Sequence, residues 1–121
     1  MRVDEHRPPI AIFDHLRLAE DDAEGWIGNL IERYRPGAED RGPTLVGLWN
    51  GFAREPGRRD VIVHWSLPGL GAMWAARWKA HADPSVAASW RATGSKAFGR
   101  DRYVLPAVGR GPSGVVAWSD G

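Results

Sequence analysis

Apolar positions along the chain change their period several times, and each change predicts an element. Ile10-Ala11-Ile12-Phe13, continued by Asp14-His15-Leu16-Arg17-Leu18, alternates and predicts a first strand over 10–18. Asp21 with Glu24 three residues on has the form of a capping box. After it, Ala23, Trp26, Ile27, Leu30, Ile31 and Tyr34 recur at helical spacing, and Pro36-Gly37 is expected to stop that helix. Thr44–Phe52 and residues 60–67 predict two more strands, joined at the Glu55-Pro56-Gly57-Arg58 turn as a hairpin. From Leu70, the residues Met73, Trp74, Arg77, Trp78 and His81 repeat at helical spacing. Asp83-Pro84 then caps and restarts a helix whose inner stripe is Val86, Trp90, Gly94 and Ala97. Arg102-Tyr103-Val104-Leu105 predicts the last strand.

The order β-α-β-β-α-β is the ferredoxin-like α+β pattern, with helices on one face of a four-stranded antiparallel sheet. Residues 1–9 are expected to be a flexible lead-in, 10–107 a single domain, and 108–121, rich in Gly, Pro and Ser, a flexible tail. The bare sheet face needs a cover, and a two-fold homodimer that stacks identical faces supplies one.

Strand alternation sorts the side chains further. A turn at Pro56-Gly57 sets Trp49 opposite Trp65 and Asn50 opposite His64. Phe13, His15, Val46, Leu48, Asn50, Phe52, Ile62 and His64 are then expected on the helix side. Asp14, Leu16, Gly47, Trp49, Gly51, Val63 and Trp65 are expected on the bare face. Strands one and three are expected to be adjacent and parallel. A slip of one residue inverts such an assignment.

Composition narrows the function classes. The 121 residues are enough for a core without staples, and there is no cysteine, which removes disulfides and thiolate metal sites. Sixteen basic against fifteen acidic residues, net +1, give no clustered basic excess for nucleic acid. No apolar run approaches the ~20 residues of a membrane span, and residues 1–9 lack the apolar centre of a signal peptide, so no membrane partner and a cytoplasmic location are expected. No spacing suits a metal or a phosphate loop, and no cofactor is expected.

The segments Leu45-Val46-Gly47-Leu48-Trp49 and Val63-His64-Trp65-Ser66-Leu67, with Leu70 onward, Arg77 and Asp83-Pro84, resemble the dimeric α/β-barrel superfamily over roughly residues 10–107. Within it, the NIPSNAP-like and antibiotic-biosynthesis-monooxygenase-like branches are the most similar. The resemblance implies two sheets packed face to face into a barrel, and pockets between each sheet and its own helices. Members include cofactor-free quinone-forming monooxygenases, polyketide cyclases, lactone isomerases and haem-dependent enzymes, so fold alone does not choose an activity.

His15 and His64 carry the candidate chemistry. A single histidine on an apolar strand is more often a satisfied core residue, but two on one face beside Asn50 suggest acid–base work, because imidazole titrates near working pH. Asn50 would stabilise a developing oxyanion. Trp74, Trp78 and Trp90, with Phe13 and Phe52, would wall an aromatic pocket, and Arg77 would bind a carboxylate or phenolate there. Core packing and a surface ion pair are the ordinary alternatives for the tryptophans and Arg77. The functional expectation is a cofactor-free enzyme tailoring a polyketide-like or aromatic natural product by cyclisation, isomerisation or dehydration. The rivals are a cofactor-free monooxygenase that forms a quinone, and a non-enzymatic dimeric ligand-binding module.

Overall fold

The computed structural model of the chain describes residues 9–106, with nothing stated of the Ser95 side chain. The expectations for the lead-in (Pro9 apart) and for the 108–121 tail lie outside the described residues. The elements are β1 (Ile10–Ala19), α1 (Glu20–Asn29), a π-helical turn (Leu30–Tyr34), α2 (Arg35–Arg41), β2 (Thr44–Phe52), β3 (Arg58–Leu67), α3 (Leu70–Ala82), α4 (Pro84–Lys96) and β4 (Ala97–Pro106). The four strands form one antiparallel sheet in the order β2-β3-β1-β4, the ferredoxin-like arrangement.

Strands β1 and β3 are adjacent as expected, but antiparallel rather than parallel. The reason is topological. The crossover through α1 and α2 returns β2 in the direction of β1, and the β2–β3 hairpin then inserts β3 between them, opposed to both.

One strand boundary and two helix boundaries also differ from the sequence reading: β4 starts at Ala97, five residues before Arg102, which takes Ala97 off the expected helix stripe. Helix α1 starts at Glu20, one residue before Asp21, and Ala19 at its N-cap makes no side-chain bond. Its first N–H is satisfied instead by the carbonyl of Gly57 in the hairpin turn, at 2.8 Å, so the capping box is not needed. Pro36-Gly37 does not end the helix. The π-helical turn resets the hydrogen-bond frame, and Pro36 falls in the first turn of α2, where its missing N–H costs nothing. The stop is Gly42 at φ 133°, a backbone state that favours glycine. At the other break the expectation holds. Asp83 accepts from the Ser85 N–H at 2.9 Å and the Ser85 hydroxyl at 2.7 Å, with Pro84 opening α4. The hydroxyl and backbone bonds from Ser85, helped by Arg41, hold the Asp83 carboxyl below its ordinary range against a small opposing effect of burial.

The core lies between the helices and one sheet face. Ile10, Ile12, Leu16 and Leu18 of β1 and Val61, Val63, Trp65 and Leu67 of β3 are buried there, with Trp26, Leu30, Ala38, Met73 and Ala76 from the helices. For β1 and β3 this inverts the expected faces. Asp14, Leu16, Val63 and Trp65 point to the helices, and Phe13, His15, Ile62 and His64 to the bare side. The cause is the hairpin register. Trp49 opposes Ile62 and Asn50 opposes Val61, three residues from the expected pairing, because the loop closes at Ala53 and Arg58 and Val46 bulges out. Three is odd, so β3 turns its other face to the core relative to β2, and β1 follows it through direct pairing. For β2 itself, Leu48, Asn50 and Phe52 stay on the helix side and Gly47, Trp49 and Gly51 on the bare side, as expected.

Helix α3 packs through Met73 and Ala76, not through the tryptophan stripe. Ala76 comes within 3.8 Å of the position a Cβ would take at Gly42. That close approach leaves no room for an indole, and the row of Trp74 and Trp78 turns outward, 51% and 74% exposed.

Candidate functional site

The bare face is built from alternate residues of all four strands. Odd positions of β1 pair with even positions of β3 and odd positions of β4, so Phe13, His15, Arg17, Asp60, Ile62, His64, Asp101 and Tyr103 share it. Trp49 and Gly47 join from β2. Phe13 and His64 oppose each other directly, and their rings stack at 4.3 Å between centroids and 14° between planes. Burial alone pushes the His64 pKa below its ordinary value, so its imidazole is neutral at pH 7. His15 lies diagonally from His64, at a backbone separation of about 7–8 Å for such neighbours.

His15 Nε2 meets Asp60 Oδ1 at 2.9 Å, with the two side chains 25% and 34% exposed. In the tautomer that satisfies this contact Nε2–H donates to the carboxylate, and Nδ1 keeps its lone pair for a proton. On β4, Asp101 stands opposite His15 in register but binds Arg17, at 3.0 Å from its Nη2. The Arg17 guanidinium lies over Gly99, where any Cβ would collide with it. Likewise the Trp49 indole folds over Gly47, where a Cβ would come within 2.6 Å of the ring. The face therefore holds a carboxylate-bound imidazole, a neutral imidazole on an aromatic ring, a guanidinium–carboxylate pair, and the half-exposed rings of Trp49 and Tyr103 at its flanks. Such a set can take a proton at His15, donate a hydrogen bond from His64, and stack a flat ligand.

His64 also gives a pH signature. Its folded pKa is depressed, so below ~6.5 the unfolded chain binds protons that the folded chain does not. Stability is expected to fall as pH drops through ~6.5 and to level off below the folded pKa. His64→Gln should flatten that limb in urea unfolding followed from pH 7.5 to 5; an unchanged slope means that another group is responsible.

The structure does not gather the other sequence candidates here. Asn50 is exposed on the opposite face, across from Val61 and away from His64. Phe52 is 85% exposed beneath the Arg59 guanidinium, 4.3 Å above its ring. Arg77 sits 5.4 Å over the Trp74 ring on the outside of α3, with Trp78 a turn further on. Trp90 lies in the helix layer, edge-on to Tyr34 at 5.8 Å and covered by Arg100 at 3.7 Å. Asp60, Asp101, Arg17, Tyr103 and Trp49 were missed as site residues. The alternation Asp60-x-Ile62-x-His64 was a usable signal for Asp60; nothing local pointed to the β4 partners.

On the helix side a carboxylate, Asp14, is buried at 1% exposure. Arg102 grips it with two bonds, Nε to Oδ1 at 2.6 Å and Nη2 to Oδ2 at 2.9 Å. Burial opposes the Arg102 charge, but the bond to Asp14 and its charge outweigh that and hold the pKa above the ordinary arginine value. Trp26 donates from Nε1 to Thr93 Oγ1 at 3.0 Å. Beside them a cleft lined by Trp26, Asn29, Leu30, Tyr34, Ser89, Trp90 and Thr93 encloses about 10 Å³, the space of one water. The pocket that the sequence placed there, with the two histidines in its wall, is not formed by these residues. Among the described residues no three His, Asp or Glu side chains are grouped to hold a metal ion, and no helix is long and apolar enough to cross a membrane.

No protein-family model and no curated protein matches the sequence. Solved structures do match. A NIPSNAP domain protein from Burkholderia xenovorans superposes with a TM-score of 0.68 at 13% identity, over 86% of this chain and 99% of that one. The chain has the fold of NIPSNAP domain proteins. A putative antibiotic biosynthesis monooxygenase from Nitrosomonas europaea follows at a TM-score of 0.59 and 9% identity, over 90% and 97% of the two chains. A dimeric ferredoxin-like protein of unknown function from Thermobifida fusca gives 0.57 at 16% identity, over 84% and 92%. The NIPSNAP-like and monooxygenase-like resemblance of the strand segments is thus matched in three dimensions, and at these identities it is a likeness of fold.

Proposed function

We propose that the protein is a homodimeric, cofactor-free acid–base enzyme whose reacting groups lie on the open sheet face, beneath a second copy. His15 is the base, oriented by Asp60, which also balances the imidazolium that forms. Neutral His64 donates to the developing oxyanion. Phe13, Trp49 and Tyr103 stack a flat aromatic or polyketide-like substrate. The reaction is proton transfer leading to cyclisation, isomerisation or dehydration. The observation that carries this reading is the His15–Asp60 contact at 2.9 Å on a face otherwise set with aromatic rings. The dimeric ferredoxin-like neighbour supports the pairing, and the monooxygenase-like neighbour supports a tailoring role.

The test is turnover of a panel of poly-β-ketone and phenolic substrates, followed with an oxygen electrode. His15→Ala is expected to lose about 10²–10⁴-fold in rate, and Asp60→Asn to lose part of that. Full activity in both variants would sink the assignment. Oxygen uptake that depends on the phenol would replace proton transfer with quinone formation. The small size of the cleft between α1, the π-helical turn and α4, about 10 Å³, favours one rival, a non-enzymatic dimeric module. Under that reading no substrate turns over, and the His15–Asp60 pair only aligns the two copies.

A further inference from the structure

We propose that the outer ridge of α3 docks on an anionic lipid surface, a peripheral contact that departs from the expectation of no membrane partner, which rests on membrane-spanning runs alone. Leu70, Trp74 and Trp78 stand four residues apart in one row on that helix. They are 57%, 51% and 74% exposed, while Met73 and Ala76 hold the helix to the core. The row is about 12 Å long. Scattered apolar residues on a surface mean little, but an aligned Leu-Trp-Trp row is a patch.

Its charge is one-sided. Between Leu70 and Ala82 there is no Asp or Glu, whereas Arg77, Lys79 and His81 are all exposed on the same helix. Among the described residues neither Arg77 nor Lys79 enters an ion pair. Arg77 instead leans over the Trp74 ring, which places a cation beside the indole. Helix α4 continues the bias with Arg91 and Lys96, and only Asp83, between the two helices, opposes it. The acids of the helix layer lie mainly on the other helices, as Glu20, Asp21, Asp22 and Glu24 on α1, Glu32 on the π-helical turn, and Glu39 and Asp40 on α2. The net charge of +1 therefore conceals a basic pair of helices, α3 and α4.

The chemistry favours lipid over a protein partner. Indole rings settle at the headgroup level of a bilayer, and basic neighbours add attraction to an anionic leaflet. The row stands exposed on a helix, without the groove that takes an amphipathic helix or a proline-rich peptide and without the sheet edge that takes a strand. Pairing through the open sheet face leaves α3 uncovered, because that face is on the other side of the sheet. The ridge thus operates whether or not the histidines are catalytic.

The full chain is to be mixed with phosphatidylcholine vesicles that contain about 30% phosphatidylserine, and with pure phosphatidylcholine vesicles, then sedimented. Binding to the anionic vesicles alone is expected, weakened at least tenfold at about 0.5 M salt, with a blue shift of tryptophan emission. Trp74→Ala with Trp78→Ala should abolish it, and Arg77→Glu with Lys79→Glu should weaken it at least tenfold; circular dichroism checks that both variants fold. Glycerophosphoserine in solution should not compete, because a free headgroup offers nothing for the indoles to enter. Equal sedimentation with both vesicle types, no sedimentation with either, or wild-type binding by the tryptophan variant overturns the proposal. So does lipid-free self-association through the ridge, seen by ultracentrifugation as assemblies lost in the tryptophan variant.

Discussion

Arg102→Leu is expected to lose about 1–3 kcal/mol of folding stability at neutral pH, less than a fully buried pair would cost because the Arg102 side chain is 40% exposed. The loss comes from Asp14 rather than from the arginine. Asp14 sits in the middle of β1, 1% exposed, under the helices and between buried Ile12 and Leu16 positions on the same face. Its carboxylate oxygens are met at 2.6 and 2.9 Å by Arg102 of the neighbouring strand, directly opposite in register. With the guanidinium gone, an unpaired charge stays in an apolar layer, which is far costlier than the absence of the pair. The double variant Asp14→Leu with Arg102→Leu should therefore recover most of the loss. Urea unfolding of the two variants, compared at constant m, checks this. A single-variant cost below about 1 kcal/mol would mean that water reaches Asp14. Set against a typical total of about 5–15 kcal/mol, that loss is a sizeable fraction, although β4 stays paired with β1 along its length.

Ile62→Asp is expected to separate the proposed dimer. Ile62 lies near the centre of the open face, opposite His15 on β1 and Trp49 on β2. A carboxylate there would be desolvated by the second copy, with only the His15 imidazole, already held by Asp60, as a neighbour, and self-association should weaken at least about 100-fold, or about 2.7 kcal/mol. The isolated subunit should keep its fold, since position 62 points away from the core of Val61, Val63 and Trp65. Sedimentation over a range of concentrations reads the first effect and circular dichroism the second. Unchanged self-association by a folded Ile62→Asp protein would place the contact elsewhere and remove the cover that the proposed site needs. If the variant dissociates but a fully active monomer remains, the histidines work without the partner.

Element order, the boundaries of β1, β2 and β3 within two residues, the Asp83-Pro84 restart and the ferredoxin-like class were all legible in the pattern of apolar positions; the start of β4, five residues before Arg102, was not. They follow from local rules: period two in strands, period near 3.6 in helices, and the fixed φ of proline at a helix start. His15 and His64 were rightly grouped on one face, because both pairing strands alternate strictly. Their face was wrong for a single reason. It depended on the β2–β3 register, and the turn residues Glu55-Pro56-Gly57 do not say whether the loop closes at Ala53–Arg58 or further along. An odd shift exchanges core for surface along whole strands.

The sequence by itself determined the order of the strands and main helices and which side chains alternate together along each strand. Spacing along one chain is enough for that, because helix and strand periods are local. Tertiary structure decided which of those residues meet. His15 joins Asp60 because β1 and β3 pair in one register, Asp14 is buried because Arg102 arrives opposite it on β4, and Trp74 and Trp78 face outward because Ala76 packs close to Gly42. Each of these contacts joins positions far apart in sequence, and its geometry is set by packing of the whole sheet and helix layer rather than by neighbours along the chain.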